Sequence, residues 1–421
     1  MTDVETLRTD PLEAPANPRI LVSTDGELVA AANPASSRLR RFAVTSSRSR
    51  GTAETVALAL DRLAPPLAAR IAEQAVATTR DTSLERSPDS AREESLRIAA
   101  SNASMRELSR SLGASEDLEE ARVGRMIEAT LERAQRRRFE LMLPGTPART
   151  LPLGGGHTRI LGVVNRTPDS FSDGGRNLRL EDAVETGLAL VEAGADVLDI
   201  GGESTRPGAA PVAADEEIER VVPLIRELAR RVEVPISVDT TKAAVAERAI
   251  DAGATIVNDV SALESDPRLA EVCARTGVGV ALMHRAGTPE TMQDDPRYDD
   301  VAAEIVGSLR SAVARAVEAG IDEARLIVDP GIGFGKNVEH NLEILRSLDE
   351  LRSLGLPRLV GTSRKAFLGK LTGAPVDERV AATGATVAWC ADRGVELVRV
   401  HDVREAKQVV TVIEAIRGGL S

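Results

Sequence analysis

The sequence predicts an α/β protein: a (β/α)8 barrel, the TIM-barrel architecture, preceded by a mostly helical N-terminal region. Three observations carry this prediction: a repeated strand–helix pattern, a glycine that ends several of the helices, and the length of chain before the repeats begin. From Ile160 onward, short apolar runs end on a polar residue and are followed by helix-length amphipathic stretches. Eight such runs in succession are typical of a closed parallel barrel.

The eight apolar runs share a polar side chain at or near their ends. These residues are Asn165, Asp199, Asp239, Asn258, His284, Asp329, Ser363 and His401. In a (β/α)8 barrel the carboxyl ends of the strands form the active-site face, whereas the interior is packed with branched apolar side chains. The eight polar residues are therefore expected to converge on one mouth.

Four of the predicted strands follow helices that end in similar phrases, EAGADVLD, DAGATIVND, EAGIDEARLIVD and ADRGVELVRVH. In each phrase the glycine is expected to adopt the left-handed conformation that closes a helix. The chain can then turn directly into the next strand, as a barrel of short connections requires.

The chain has 421 residues, which is more than one barrel needs. Residues 1–50 are rich in Pro, Ser, Ala and Arg and are predicted to be loosely ordered, with a short strand at RILVS. Residues 51–138 are predicted to form a mostly helical accessory region, with helices over 52–76, broken at Pro65 and Pro66, over 91–112 and over 118–136. Residues 139–421 are predicted to form the barrel, and the segment RRRFELMLPGTPARTLPLGGG is a hairpin-like lead-in.

Composition excludes several classes of function. A net charge of -12 argues against a general nucleic-acid binder or a binder of anionic membranes. No stretch approaches 18 consecutive apolar residues, and the first residues, MTDVETLRTD, carry acidic side chains where a signal peptide would be positively charged. Cys273 and Cys390 lie in predicted helices without motif spacing. A soluble, cytoplasmic protein with a small-molecule ligand is expected.

Two loops at the predicted mouth are dense in polar and small residues. The first is NRTPDSFSDGG at 165–175, and the second is GGESTRPG at 201–208. Either could simply be a long turn, since Asx, Ser, Gly and Pro residues form turns by themselves. Arg206, however, lies among small residues above the barrel, where its planar fork could hold a phosphate or a carboxylate.

The sixth predicted strand ends in DPGIGFGK, which is not a nucleotide-binding motif. Pro330 stands where the Walker pattern needs its first glycine, and Lys336 stands where the dinucleotide pattern needs its third. The small residues instead allow the backbone and Phe334 to approach a flat ligand, while Asp329 accepts hydrogen bonds from it.

Cations follow the last two predicted strands. Ser363, Arg364 and Lys365 follow the seventh, and in the eighth Arg399 and His401 point to the same side because side chains alternate along a strand. Together with the polar strand ends they suggest a ligand. Asp239, Asn258 and Asp329 could accept hydrogen bonds from an amino-pyrimidinone ring, with Lys365 on its carbonyl or ring nitrogen. An anionic group could be held by Arg206, Arg399 and His401.

The motifs in this order closely resemble those of the dihydropteroate synthase family. They are NRTPDSFSDGG, GGESTRPGA, SVDTTK, VNDVSAL, MHRAGTPETMQ, DPGIGFGK, GTSRKAFLG and RVHD, and they extend from about Ile160 to Ile416. The resemblance implies transfer of the dihydropterin-methyl group from its pyrophosphate ester to the amine of 4-aminobenzoate, with release of pyrophosphate. It also implies sulfonamide inhibitors, a homodimer and Mg²⁺ (magnesium) as the cofactor.

The resemblance assigns site residues at matching positions. Catalytic roles fall on Asn165, Arg206, Asp329, Lys365, Arg399 and His401, and Asn165 is also the implied magnesium ligand. Substrate-binding roles fall on Phe171, Thr205, Pro207, Asp239, Asn258, Met283, Phe334 and Ser363. One departure is Arg166, because the family usually has a small aliphatic residue there; this cation could alter the first loop or aid pyrophosphate binding.

Two other functions fit the same barrel. A non-catalytic paralogue would keep the pterin site but only bind or regulate, and Arg166 is the feature that supports it. A methyltetrahydrofolate-dependent methyltransferase also binds a pterin, but it has no evident use for TPDSFSDGG, STRPG or SRK. Release of pyrophosphate that depends on 4-aminobenzoate separates the three functions.

Overall fold

The structure is a computed structural model that describes residues 17–22, 55–78, 83–88, 94–145, 149–166, 176–204, 211–287, 291–292 and 295–418. The chain divides into two compact units. The first comprises Met1–Arg136 with Asp349–Gly355, and the second comprises Arg137–Leu348 with Leu356–Ser421.

The first unit contains an antiparallel sheet and helices. Its described strands are β1 (Asn17–Val22), β2 (Thr55–Leu63), β3 (Ser83–Pro88) and β4 (Glu94–Ser101), in the spatial order β1-β2-β4-β3. Its described helices are α1 (Pro65–Thr78), α2 (Asn102–Gly113) and α3 (Leu118–Gln135). Leucine, isoleucine and alanine side chains from the sheet and the helices form one aliphatic core.

The helix predicted before Pro65 is wrong, because residues 55–63 are the strand β2. The helix predicted over 91–112 is wrong for residues 94–101, which form β4, and is confirmed for 102–112, which lie in α2. Leu58 and Leu60 of β2, and Leu96 and Ile98 of β4, are buried in the same core. A short apolar run is compatible with the period of a helix or of a strand. Here the strand is favoured by pairing, since β2 is hydrogen-bonded to β1 on one side and to β4 on the other. The strand predicted at RILVS and the helices predicted after Pro65 and over 118–136 are confirmed.

The second unit begins with an antiparallel hairpin, β5 (Arg138–Leu143) and β6 (Arg149–Gly154). Eight parallel strands then follow in its described residues: β7 (Arg159–Asn165), β8 (Val197–Gly201), β9 (Ile236–Asp239), β10 (Ile256–Asp259), β11 (Gly279–Met283), β12 (Leu326–Asp329), β13 (Leu359–Val360) and β14 (Leu397–Val400). Their spatial order is β12-β11-β10-β9-β8-β7-β14-β13. A parallel bridge between Val328 and Arg358, with Val328 N donating to Pro357 O at 2.9 Å, joins the two ends. The predicted (β/α)8 barrel is confirmed.

Helices connect the barrel strands. They are α4 (Arg176–Glu192), α5 (Ala214–Ala229), α6 (Ala243–Ala252), α7 (Arg268–Thr276), α8 (Val301–Glu318), α9 (Val338–Arg346), α10 (Ala366–Thr372), α11 (Val380–Asp392) and α12 (Val403–Ile416). Short 3-10 turns occupy Glu323–Arg325, Leu348–Leu354 and Val376–Glu378. The glycines of the four repeated phrases, Gly194, Gly253, Gly320 and Gly394, all have positive φ, as predicted. In the part of the chain that the structure describes, no helix has the length and apolar character of a membrane span.

The hairpin β5–β6 closes the amino-terminal end of the barrel. Leu141, Leu143, Leu151 and Leu153 pack against an apolar layer from the starts of the strands. This layer consists of Leu161, Val197, Ile256, Ala281, Ile327, Leu359 and Leu397. The lead-in is therefore a plug beneath the barrel, and the opposite end remains for the site.

Candidate active site

The site is built on the residues that lie two positions beyond the apolar layer. Because alternate residues of a strand face the same side, Asp199 follows Val197, Asn258 follows Ile256, and Asp329 follows Ile327 on the barrel interior. The same step leads to Met283 and to Arg399. The floor of the barrel is thus apolar, and the next layer toward the mouth contains four polar side chains, those of Asp199, Asn258, Asp329 and Arg399.

Arg399 forms the centre of this polar layer. Its Nε donates to Asp199 Oδ2 at 2.7 Å, and its Nη2 donates to Asp239 Oδ2 at 2.8 Å. Asn258 Nδ2 also donates to Asp199 Oδ2, at 3.3 Å. Three predicted site residues, Asp239, Asn258 and Arg399, are thereby brought together. Asp199 was recognised only as a strand end, and its place as the shared acceptor became visible only in the structure.

Two carboxylates share one guanidinium in this layer, so the cluster carries excess negative charge. Burial raises the pKa of Asp239 to about 7; Arg399 opposes that rise, and Asp199 reinforces it. Burial by itself would lower the pKa of Arg399, but Asp199 and Asp239 outweigh it, and the pKa is raised. Arg399 therefore stays charged, while the carboxyl oxygens of Asp199 and Asp239 are acceptors for ligand groups that donate hydrogen bonds.

Asp329 lies at the end of β12 and is 5% exposed. Its Oδ1 accepts a hydrogen bond from Gly331 N at 2.7 Å, which orients the carboxylate at the start of the DPGIGFGK loop. Burial raises the pKa of Asp329 to about 6, while the Gly331 hydrogen bond and the charges of Lys365 and Lys336 oppose the rise. Above that pH the site holds a second buried, ionised acceptor.

Phe334 and Lys365 form an aromatic wall with a cation above it. The Nζ of Lys365 lies 4.1 Å from the centroid of the Phe334 ring. Phe334 packs with Val260, Met283 and Met292 in an apolar cluster and is 8% exposed. This arrangement suits a flat ligand whose one end is polar and whose other end is aromatic.

Ser363 and His401 meet at the ends of the seventh and eighth barrel strands. His401 N donates to Ser363 Oγ at 3.2 Å, and the ring Nδ1 lies 3.0 Å from the same oxygen. Burial lowers the pKa of His401 to about 4, with the charges of Arg399 and Arg364 adding to the effect. The imidazole is therefore neutral at physiological pH, so it can serve an anionic ligand as a hydrogen-bond donor but not as a charge.

Asn165 ends β7 with its side chain exposed. An added Cβ at Gly201 would lie 3.1 Å from Asn165 Oδ1, so the absence of a side chain at Gly201 leaves the amide its space at the mouth. Four other predicted site residues, Phe171, Thr205, Arg206 and Pro207, lie outside the described residues.

Arg166 is buried, with 8% of its surface exposed, whereas a side chain that binds an anionic ligand at the mouth would be accessible to it. Its Nη1 donates to the carbonyl of Arg220 on α5 at 2.7 Å, and its backbone N donates to Gly201 O at 2.8 Å. Two effects were expected of Arg166, an altered first loop or help in binding pyrophosphate. These contacts favour the first, because they anchor the start of the loop to α5 and β8.

Sequence reasoning missed two polar clusters, each built around a lysine. Lys242 contacts Glu203, at the base of the second loop, and the fully buried Glu217 of α5. Lys336 lies 2.9 Å from the Nδ1 atom of His284. Lys242, Glu203 and Lys336 all lie in recognised motifs, but nothing local in the sequence indicates which partners they have.

Comparisons with known proteins agree with this geometry. The family model "Pterin binding enzyme" matches residues 161–401. The dihydropteroate synthase of Escherichia coli (strain K12) is 46% identical over 259 residues, which cover 62% of this chain and 92% of that protein.

Two solved structures are similar in sequence and in fold. Yersinia pestis dihydropteroate synthase with a sulfonamide drug is 43% identical, with a TM-score of 0.62, and the match covers 66% of this chain and 100% of that one. Xanthomonas albilineans dihydropteroate synthase with 4-aminobenzoic acid is 45% identical, with a TM-score of 0.61, and the match covers 65% of this chain and 98% of that one. The chain therefore belongs to the dihydropteroate synthase family of pterin-binding enzymes.

Proposed function

We propose that this chain joins 6-hydroxymethyl-7,8-dihydropterin pyrophosphate to 4-aminobenzoate, giving 7,8-dihydropteroate and pyrophosphate. The observation that carries the proposal is the layer of buried acceptors, Asp239, Asn258 and Asp329, with Lys365 and Phe334 beside it. Relatives with the same activity in their names, including structures with 4-aminobenzoic acid and with a sulfonamide drug, support it.

The pterin ring binds through the buried acceptors. Its amino and ring N–H groups donate to Asp329 and Asp239, and the Asn258 amide supplies both a donor and an acceptor. Lys365 donates to the ring carbonyl or a ring nitrogen. These contacts fix the ring deep in the barrel and direct its methylene carbon toward the mouth.

The reaction needs orientation and charge stabilisation more than a strong nucleophile. When the C–O bond to pyrophosphate breaks, the bonding electron pair leaves with pyrophosphate and the positive charge on the methylene spreads over the electron-rich pterin. The amine of 4-aminobenzoate then attacks that carbon and loses a proton. Arg399, His401 and Ser363, together with Arg206, are proposed to hold the leaving pyrophosphate.

Mg²⁺ is proposed to bind with the pyrophosphate. In the described residues no group of three or more His, Cys, Asp or Glu side chains could hold a metal, whereas the exposed Asn165 offers one amide oxygen. A single neutral oxygen fits Mg²⁺, which often binds chiefly through substrate phosphates. When bound, the metal would neutralise charge on the leaving group. Chelation is expected to abolish turnover, and added Mg²⁺ is expected to restore it.

The second substrate is proposed to lie against the Phe334 ring. Met283 packs behind that ring, and Phe171, Thr205 and Pro207 are proposed to complete the subsite from the two loops. Sulfonamides share the aniline ring and an acidic group with 4-aminobenzoate, so we expect them to compete for this subsite.

Pyrophosphate release by the purified protein tests the proposal. With Mg²⁺ and the pterin pyrophosphate, release is expected only when 4-aminobenzoate is also present, and dihydropteroate is expected in equal amount. Tight pterin binding without turnover, under conditions where the Escherichia coli enzyme works, would identify a non-catalytic paralogue. Methyl transfer from methyltetrahydrofolate would identify the methyltransferase alternative.

The oligomeric state and the location of the protein are proposed together with this activity. A homodimer is proposed because Trp389 of α11 and Val412 and Ile416 of α12 are large apolar residues exposed on neighbouring helices. A cytoplasmic location is proposed because Cys273 and Cys390 are buried free thiols. Light scattering on the purified protein measures the first, and fractionation of the source cells measures the second.

A further inference from the structure

Lys336, the last residue of DPGIGFGK, has no part in the chemistry proposed above, yet it is only 2% exposed. Its Nζ lies 2.9 Å from His284 Nδ1 and donates to Phe334 O at 2.9 Å and to His284 O at 3.4 Å. An ammonium group has three N–H donors, and each of these has an acceptor here. Burial lowers the pKa of Lys336 to about 7, so below that pH the group is charged, and a buried charge has to be fully paired. The surrounding backbone is therefore held to this one geometry.

The acceptors of Lys336 belong to two different loops, which lie backbone against backbone. A Cβ atom at Gly331 would lie 1.9 Å from His284 O, and one at Gly335 would lie 2.4 Å from Ala286 O. Both glycines also have positive φ, of 67° and 68°. Only glycine allows so close an approach, and Lys336 ties the two loops together across the contact.

The loop that Lys336 holds carries Phe334. The Phe334 carbonyl accepts from Lys336, while its ring packs with Met283 and lies 4.1 Å below Lys365 Nζ. The hydrogen bond to the Phe334 carbonyl holds the backbone from which the ring projects. The position of the ring therefore depends on this hydrogen bond. The Gly331 N–H to Asp329 bond, which orients the proposed pterin acceptor, is made without Lys336.

We propose that Lys336 is a positioning residue for the 4-aminobenzoate subsite. By joining the loop after β11 to the loop after β12, it holds the Phe334 ring where the second substrate packs, and it leaves the pterin contacts in place. This inference rests on the proposed synthase function.

The variant Lys336→Met keeps the apolar stem and removes all three donors. At pH 6.5 we expect the KM for 4-aminobenzoate to rise about tenfold or more, the usual effect of losing hydrogen bonds from a charged donor. Pterin affinity, measured by calorimetry without the second substrate, is expected to fall by clearly less than the KM rises, because the Asp329 contacts remain and only the nearby charge of Lys336, which helps to keep Asp329 ionised, is lost. Sulfonamide inhibition should weaken in parallel with the KM. Lys336→Gln, whose amide can still donate to Phe334 O, should recover most of the aminobenzoate affinity.

Tyr298→Phe is the matched control. Its hydroxyl donates to Gly335 O at 2.9 Å. Gly335 follows Phe334 in the same loop, so Tyr298 also contacts that loop, but not through the Phe334 carbonyl. Its KM for 4-aminobenzoate should stay within about twofold of wild type, since an ordinary neutral hydrogen bond contributes less. Thermal unfolding of each variant reports whether the barrel is intact.

Three results would overturn the assignment: an unchanged aminobenzoate KM in Lys336→Met, a loss of pterin affinity as large as the loss of aminobenzoate affinity, or the same KM change in Tyr298→Phe. If neither Lys336 variant folds, the residue serves folding and the assignment is equally wrong. Absence of turnover in the wild-type protein itself would instead refute the proposed function.

Discussion

Replacing Asp329 with Asn is expected to stabilise the barrel and to destroy pterin binding. The side chain is 5% exposed, and burial raises its pKa from 3.8 to about 6. The asparagine has the same shape, and its amide oxygen can keep the hydrogen bond from Gly331 N. The substitution therefore removes a buried charge with little change in packing.

The size of the stabilisation follows from the pKa difference. Between pH 3.8 and about 6 the folded protein binds a proton at Asp329 that the unfolded chain has lost, so the free energy of unfolding falls as pH rises through this window. Above about pH 6, the ionised Asp329 lowers the free energy of unfolding by about 3 kcal/mol at most, at about 1.4 kcal/mol per unit of pKa difference. At pH 5 only about half of the penalty applies. We therefore expect Asp329→Asn to be more stable than wild type at pH 8, by about 1 to 3 kcal/mol, and the gain to shrink by about half at pH 5.

Pterin binding should change in the opposite direction. Asparagine directs an amide N–H₂ toward ligand donors where wild type has a charged acceptor. Losing a hydrogen bond to a charged group costs about 1.5 to 3 kcal/mol, which corresponds to about 10- to 150-fold in Kd.

Urea unfolding at pH 5 and pH 8, followed by tryptophan fluorescence, measures the stability change. The chain has one tryptophan, Trp389 on α11, so the signal reports on the barrel. Calorimetry measures pterin affinity. The exposed Asp251→Asn is the control, and its stability difference from wild type should be small at both pH values because its side chain stays in water. A less stable Asp329→Asn at pH 8, or a difference that is equal at both pH values, would refute the reasoning, and unchanged pterin affinity would refute the site.

Three further outcomes are expected. Pterin affinity of the wild-type protein should fall as the pH is lowered from about 7 to 4, by up to about tenfold per pH unit for each group, because Asp239 and then Asp329 become protonated and lose their charge as acceptors; calorimetry showing a flat profile over this range would contradict this. Leu153→Ala in the barrel plug should lower the free energy of unfolding by about 2 to 5 kcal/mol, and a loss under about 1 kcal/mol would show that the plug contributes little. A chain that begins at Arg138 should stay folded and keep most of its activity, since the described site residues and the plug all follow that position. Aggregation would show that the removed region covers apolar surface, whereas a soluble but inactive chain rescued by the separate N-terminal fragment would show that the region contributes to the site.

The barrel could be predicted from sequence because its signals are local. Each predicted strand has a polar residue at or near its end, and each of the glycines Gly194, Gly253, Gly320 and Gly394 marks a helix end by a conformation that only its own residue decides. Period-two alternation also predicted that Arg399 faces the interior, where it is found with Asp239.

Local signals failed where two secondary structures fit the same residues. The segments that became β2 and β4 have apolar runs that suit a helix as well as a strand, and their own neighbours in sequence do not settle the choice. It was settled by hydrogen bonds to other strands, which replace the helical ones.

The sequence by itself determined the fold class, the order of the motifs and the strand positions of Asp239, Asn258, Asp329 and Arg399, because strand polarity, helix ends and side-chain alternation depend on neighbouring residues. Only the tertiary structure decided the partners: Arg399 with Asp199, 200 positions apart, and Lys336 with His284, 52 positions apart. Which charges share a buried space depends on strand order and register. The same packing excludes water, so the tertiary structure also decided that Asp329 keeps its proton to about pH 6 and that Lys336 is held by three acceptors.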